Sequence, residues 1–456
     1  MSPWTPSIPE EGSPRYIAIA DAIARDIDSG ALWPGERLPP QRRLAEVLGI
    51  DFTTVSRGYA EARRRGLVES HVGRGTFVCA QRTKAPSVDP ARLRDEDLAM
   101  NMPPDPNDER LLRRMREGLD YVGVNMVHLL RYQSPVGSER DKSAAMGWLG
   151  QRGVSPASDR VAVTPGAHAT ILAILSTLAA PGDTILCEAI SYPGLRTIAA
   201  RLCLNLQGVP MDEDGIDPEA LAEAVRMHRP KALYLTPTLH NPTTLTVPTS
   251  RRQQIAQVAT AHGLAVIEDD AYGFVPSDAP AALAAHAPDQ TWYIGGLSKC
   301  LGARLRLAYT LAPSSRCALS LGHALRSTSV MASPISAALA TRWIEDGTAG
   351  ALRDHIRAEA ASRQAIAAEM LAGLDYKSAP NAFNVWLRLP EGTGRADLMG
   401  RMAGRHIGIM PSDAFTVLGE ADEHVRVCLG GSISREDLRR GLLVMTDSLQ
   451  SHARVG

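Results

Sequence analysis

Between residues 161 and 311 short apolar runs alternate with stretches of helical periodicity, and this alternation narrows the possible folds more than any other feature. The strand-like runs are 161–163, 184–187, 232–235, 264–267, 292–294 and 307–311, with helical stretches at 167–178, 192–202, 218–227 and 251–262. Continuous apolar strands separated by helices predict a mainly parallel sheet covered on both faces, with ligands bound at the carboxyl ends of the strands. The remainder of the chain, from about 333 to 456, begins helically and then shows strands at 383–389 and 425–429, which predicts a smaller α+β subdomain. A chain of 456 residues exceeds one ordinary core, so further domains are expected.

The first eighty residues follow a different pattern. Ile17, Ala20, Ile23, Ala24 and Ile27 recur at helical spacing before Gly30, a second helix spans about 40–48 before Gly49, and Asp51 caps a third that runs to Arg64 with Val55 and Tyr59 inward. Gly66-Leu-Val-Glu-Ser-His-Val-Gly-Arg-Gly-Thr-Phe-Val78 holds two strand runs around Gly73-Arg74-Gly75, a hairpin. Helices followed by a hairpin predict a winged helix-turn-helix whose third helix enters a DNA major groove. From Arg37 to Arg82 there are nine Arg against four Asp or Glu, the local basic excess that phosphate contacts require.

The net charge of -1 provides no attraction of the whole chain to nucleic acid, so DNA binding rests on that segment. Six scattered cysteines without CxxC spacing predict free thiols in a reducing, cytoplasmic setting. No run of about 18 apolar residues suggests a membrane partner. Residues 80–99 are polar and lack an apolar period, which predicts a linker between a DNA-binding domain at 1–79 and a second domain at 100–456.

Several strand ends carry chemistry. In Trp292-Tyr-Ile-Gly-Gly-Leu-Ser-Lys-Cys-Leu-Gly-Ala-Arg-Leu-Arg306 an apolar strand breaks at two glycines and exposes Ser298 and Lys299. A lysine in such a cleft loses its proton through burial or a cationic neighbour and forms a Schiff base with an aldehyde; the alternative is a surface lysine after a glycine turn. Thr164-Pro-Gly-Ala-His-Ala-Thr170 follows a strand and opens a helix, where free N–H groups hold a phosphate or simply make a strand–helix turn. Leu235-Thr-Pro-Thr-Leu-His-Asn-Pro-Thr243 offers an Asn to a phenolic oxygen, or an Asn-Pro turn. Val266-Ile-Glu-Asp-Asp-Ala-Tyr272 offers a carboxylate to a pyridine nitrogen. A metal site is the alternative for such acids, disfavoured beside a Schiff-base lysine, so no metal is expected.

Two resemblances follow from these motifs. Gly-x-Leu-x-Pro-Gly-x-x-Leu-Pro, Leu-Ala and Gly-Arg-Gly-Thr-Phe-Val in the first eighty residues resemble the GntR family of bacterial regulators, which implies Arg42, Thr53, Thr54, Arg57 and the wing's Arg74 as contacts to double-stranded operator DNA. Here Asp51-Phe52 stands where that family usually has Ser-Arg. The ordered motifs TPGAH, SYPG, HNPT, EDDAY and SK…R resemble the fold-type I aminotransferases, which use pyridoxal 5'-phosphate. That resemblance implies Lys299 as the Schiff-base lysine and Asp269 as the partner of the pyridine nitrogen. Asn241 and Tyr272 would bond the phenolic oxygen and Tyr192 would stack on the ring. Gly166, Ala167, His168, Ser298 and Arg306 would surround the phosphate. Tyr132 would reach the phosphate of the neighbouring subunit in a homodimer, and Arg426 would grip a carboxylate bidentately. The combination resembles the MocR subfamily. It implies a transcriptional regulator that senses a small amino compound through an external aldimine on pyridoxal 5'-phosphate. The alternative is a catalytically active aminotransferase with a secondary DNA-binding role. Ala303-Arg304 after the lysine, where the aminotransferases usually have Pro-Gly, favours a sensor over an efficient transaminase.

Overall fold

A computed structural model of the chain describes residues 4–7, 14–33, 35–71, 75–79, 99–405 and 407–453. The chain divides into two compact units, Met1–Glu96 and Asp97–Gly456.

The first unit packs α1 (Arg15–Asp28), α2 (Gln41–Leu48) and α3 (Phe52–Arg64) against an antiparallel hairpin of β1 (Val68–His71) and β2 (Gly75–Val78). Its core joins Ile19, Ile23, Leu44, Val55, Tyr59 and Val78, the positions that the helical period and strand alternation point inward. Gly49 ends α2 in the left-handed conformation (φ 63°), and Asp51 then caps α3 by accepting the Thr53 N–H at 2.8 Å. Gly49 and Asp51 therefore shape the three-residue turn between the helices. The Tyr59 hydroxyl donates to the Pro39 carbonyl at 2.8 Å and ties α3 to the start of α2. The hairpin tip with Arg74, and all of the expected linker except residue 99, lie outside the described residues.

The second unit is built on β3 (Val161–Thr164), β4 (Thr184–Glu188), β5 (Asn205–Val209), a short hairpin of β6 (Met211–Asp212) and β7 (Gly215–Ile216), β8 (Ala232–Leu235), β9 (Ala265–Asp269), β10 (Thr291–Gly296) and β11 (Ala308–Leu311). Seven of these form one sheet in the order β3-β11-β10-β9-β8-β4-β5. All are parallel except β11, which runs antiparallel to both neighbours. The edge strand β5 and the reversal of β11 escape the pattern reading: β5 is only partly buried and carries Asn205 and Gln207, and strand direction is not written in periodicity. Helices cover both faces. Trp292 and Ile294 of β10 enter one apolar cluster while Tyr293 enters the other, so the strand is buried throughout. A second sheet of order β12-β13-β15-β14 is antiparallel and comprises β12 (Tyr376–Lys377), β13 (Asn384–Arg388), β14 (Ile409–Pro411) and β15 (His424–Cys428). Among the described residues no helix is long and apolar enough to cross a membrane.

Gly58 lies where α3 crosses α1, and a Cβ there would stand 2.9 Å from Ile19 Cβ and 3.1 Å from the Tyr16 carbonyl oxygen. Gly58→Val is expected to destabilise the N-terminal unit by about 2 kcal/mol or more through overpacking. Calorimetry on the full chain should show that unit's transition moving down while the transition of the second unit stays in place.

Candidate functional site

Strand ends of the large sheet carry Asp269 and, on the turn after β10, Lys299, and the small sheet carries Arg426. In β9 the alternation of side chains sends Glu268 and Asp270 to one face and Asp269 to the other. Glu268 accepts the N–H groups of Leu283 and Ala284, both at 2.8 Å, and lies 3.5 Å from Arg252. Asp270 accepts from Arg152 Nε at 2.9 Å and from the Tyr293 hydroxyl at 2.8 Å. Both carboxylates are thus structural, each matched by a buried guanidinium. Among the described residues no group of three or more His, Cys, Asp or Glu is placed to hold a metal ion.

Asp269 has no such cation. Its Oδ2 accepts from the Tyr234 hydroxyl at 2.9 Å, while the buried Oδ1 has no hydrogen-bond partner among the described residues. Burial pushes its pKa up to about 7, against the opposing Tyr234 hydrogen bond. Lys299, on the turn after β10, lies 5.7 Å from the centre of the Tyr272 ring and donates to the Asn101 carbonyl. Burial, then the positive charge of Arg426, lowers its pKa to about 8. These are the two causes that make a lysine nucleophilic near neutral pH.

Gly166, with φ 87°, begins the helix Ala167–Leu178, whose first N–H groups have no helical acceptor. Arg306 meets it: a Cβ on Gly166 would lie 3.7 Å from the Arg306 guanidinium carbon. His168 and Tyr192 stand edge-on with ring centres 6.3 Å apart. Burial and then the charge of Arg306 lower the His168 pKa, and its Nδ1 stands 3.4 Å from the Tyr192 hydroxyl. Burial raises the Tyr192 pKa; the charge of Asp269 adds to that rise and the charge of Arg306 opposes it. Ser298 is half-buried beside Lys299.

Arg426, buried on β15, donates from Nη1 to Asn241 Oδ1 at 2.7 Å and from Nη2 to the Ala99 carbonyl; its Nε is buried without a partner among the described residues. Tyr132, by contrast, is 87% exposed and stands outside this group within one chain. The sequence reading missed three participants. Asn101 donates from Nδ2 to the Tyr272 hydroxyl oxygen at 2.8 Å and to Asn384 Oδ1 at 2.9 Å, and Asn384 in turn donates to the Pro242 carbonyl at 2.8 Å. Tyr234 lies inside an apolar strand and reads as core. For none of the three is there a local signal beyond a polar residue in an apolar run.

In the N-terminal unit Arg42 and Arg57 are exposed and steered by aromatic rings: Arg42 lies 5.9 Å from the Phe52 ring centre and Arg57 lies 4.5 Å above Tyr16. The Thr53 hydroxyl donates to Asp51, which stiffens the cap, and Thr54 is half-buried behind it. The exposed Phe52 at the start of α3 adds an apolar contact that the sequence reading did not name. Arg64 and Arg65 are bound to Glu61, Arg65 also to Asp21.

The fold and site define a helix-turn-helix reader joined to an aminotransferase-type α/β unit. Residues 15–78 match the family described as bacterial regulatory proteins, gntR family, and residues 96–443 match aminotransferase class I and II. The chain is 30% identical to the HTH-type transcriptional regulator YdeF of Bacillus subtilis, over 97% of this chain and 96% of that regulator. It is 26% identical to the HTH-type transcriptional regulator TauR of Rhodobacter capsulatus, over 64% of this chain and 66% of TauR. Among solved structures the α-aminoadipate aminotransferase LysN of Thermus thermophilus, complexed with N-(5'-phosphopyridoxyl)-L-leucine, superposes with a TM-score of 0.71. It covers 79% of this chain and 93% of its own at 22% identity. The chain belongs to the GntR-type transcriptional regulators that carry an aminotransferase class I and II domain, the MocR subfamily.

Asp269 gives the site a pH signature. Its folded pKa, near 7, lies above the unfolded value of about 3.9, so the folded state keeps a proton that the unfolded chain releases, and stability falls as pH rises between the two values. In cofactor-free protein Asp269→Asn abolishes that fall. Thermal unfolding should show the stability difference moving in the variant's favour by about 2–3 kcal/mol from pH 5 to pH 8. A constant difference would mean that Asp269 is ionised throughout.

Proposed function

We propose that this regulator binds pyridoxal 5'-phosphate covalently at Lys299 and uses it to sense a small amino compound, which alters operator binding by the N-terminal unit. The observation that carries this reading is the pairing of a buried carboxylate oxygen without a partner on Asp269 with a lysine of lowered pKa across the same strand ends. When bound, pyridoxal phosphate supplies an aldehyde that condenses with a primary amine, releasing water, and a ring that withdraws electrons once its nitrogen is protonated.

The chain's own residues divide the work. Lys299 provides the neutral amine. Asp269 would give the proton that burial lets it keep to the ring nitrogen and, through the charge pair so formed, recover the ionised form that burial disfavours. The N–H groups after Gly166, with His168, Ser298 and Arg306, hold the phosphate, and Tyr192 covers the ring. Asn241 and Tyr272 lie toward the phenolic oxygen, and Arg426 takes a carboxylate of the sensed compound. Tyr132 and the exposed Val124, Val127 and Leu130 near it support a homodimer in which Tyr132 completes the partner's phosphate site. The working division is a DNA-binding domain at 1–79, a linker at 80–99 and a sensing and dimerisation domain at 100–456, acting in the cytoplasm. For the reader, Arg42, Thr53, Thr54, Arg57 and Arg74 face the operator, with Asp51 ordering the first turn of α3.

A second reading, a working aminotransferase, draws on the 27% identity to the 2-aminoadipate transaminase of Thermus thermophilus, over 69% of this chain and 80% of that enzyme. Incubation with amino acids and 2-oxo acids separates the two. A sensor gives an absorbance change without sustained product, whereas a transaminase turns over.

Two outcomes are expected. Capture of pyridoxal 5'-phosphate, followed by borohydride trapping and mass measurement, should speed up with pH to a midpoint near 8, because the neutral amine is the nucleophile and its pKa is lowered. A midpoint near 10, or an adduct that survives Lys299→Ala, refutes the assignment. Arg57→Ala should weaken operator binding about tenfold and flatten its salt dependence in gel-shift titrations, with the cofactor spectrum unchanged.

A further inference from the structure

Two donors of the site, one on Arg426 and the amine of Lys299, are held by backbone carbonyls of the chain itself. Arg426 Nη2 donates to the Ala99 carbonyl, and Lys299 Nζ donates to the Asn101 carbonyl. Between and beyond them the Asn101 side chain is locked to Tyr272 and Asn384. Asn101 is buried at 5% exposure, and its Oδ1 has no hydrogen-bond partner among the described residues. Residues 99–101 thus form a strap that crosses the site from Arg426 to Lys299.

The far end of the strap is anchored. The Met102 carbonyl passes so close to Gly430 that any Cβ there would stand 1.7 Å from its oxygen. The Gly431 N–H donates to the Pro103 carbonyl at 3.2 Å, the Asp105 N–H donates to the Gly431 carbonyl at 3.4 Å, and Pro104 bridges to Gly431. The two glycines continue directly from β15, the strand that bears Arg426. One end of the strap is therefore fixed to the small sheet. The other continues into residues 80–98, which lead in sequence to the DNA reader.

We propose that residues 99–101 are an internal stand-in for the ligand. The Ala99 carbonyl occupies the Arg426 donor that a carboxylate requires, and the Asn101 carbonyl holds the amine that must attack the aldehyde. Capture of the aldehyde and of the amino compound frees both carbonyls and swings the strap about its anchor at Pro103–Asp105. Asn101 is a positioning residue: its amide holds Tyr272 while the strap is in and sets how readily the strap leaves. The inference rests on the reading of Lys299 and Arg426 given above, and extends it to how the site is held before it is occupied.

Asn101→Ala in the full-length, cofactor-free protein tests it. The variant removes two hydrogen bonds of the strap and none made by the Lys299 amine, so capture of pyridoxal 5'-phosphate, timed by borohydride trapping, should quicken by about tenfold. A residue that merely supported the site would slow capture when removed. Gly430→Ala, which expels the Met102 carbonyl by a separate route, should quicken capture as well, and thermal unfolding shows that each variant is folded. Hydrogen exchange in a peptide spanning 99–102 supplies a readout that does not depend on the cofactor: it should be slow in the cofactor-free wild type and faster in both variants. Slower or unchanged capture in both folded variants overturns the proposal, as does rapid exchange of this peptide in the wild type. If the wild type forms no adduct with pyridoxal 5'-phosphate, the cofactor reading fails, and the exchange comparison alone decides whether the strap is held.

Discussion

Three consecutive carboxylates, Glu268, Asp269 and Asp270, are buried at the end of β9, and the rest of the second unit is arranged around their charges. A buried carboxylate is costly unless it is paired and hydrogen-bonded. Arg252 lies beside the first and Arg152 binds the third, both guanidiniums themselves buried. The middle acid receives a hydroxyl from Tyr234 and no cation. That asymmetry leaves Asp269 without a cation between two matched carboxylates, facing the same edge as the lysine after β10. A carboxylate held in this way binds a protonated ring nitrogen more strongly than an exposed one, because no water competes for it.

The sheet creates the conditions for this. Apolar clusters cover β10 and β9 from both sides, so the strand ends lie in a region of low dielectric where burial can shift Asp269 upward and Lys299 downward. The reversal of β11 brings Arg306 to the same edge as Gly166, and the small sheet contributes Arg426 from a strand whose other neighbours are apolar. In the N-terminal unit the same economy appears on a smaller scale. Asp51, unexpected near phosphate, serves as the cap that starts α3, and Phe52 steers Arg42.

How far each feature could be read in advance depended on how far away its partner lies. The helices at 167–178 and 218–227, and strand 232–235, agree with the observed elements to within a residue, because period and cap are local properties. The turn that carries Lys299, the Asn-Pro turn at Asn241 and the run of acids at the end of β9 could be marked as candidate chemistry, since each ends an apolar run. The choice of Asp269 among the acids, and of Arg426, came only from the resemblance to the aminotransferases. Asn101 was not: it meets Tyr272 at a separation of 171 residues and Asn384 at 283. Tyr234 was read as core because only its hydroxyl, 35 residues from Asp269 in sequence, has a polar function.

Local chemistry thus settled the kinds of element, their order, and the residues that stand at strand ends, since spacing and turn residues act over a few positions of chain. It also settled that a DNA reader precedes an α/β unit. Which of three neighbouring acids is left without a cation, and which carbonyls hold Lys299 and Arg426, was decided only when strands far apart in sequence paired. Burial, and with it the shift of each charge, is a property of what surrounds a residue in space.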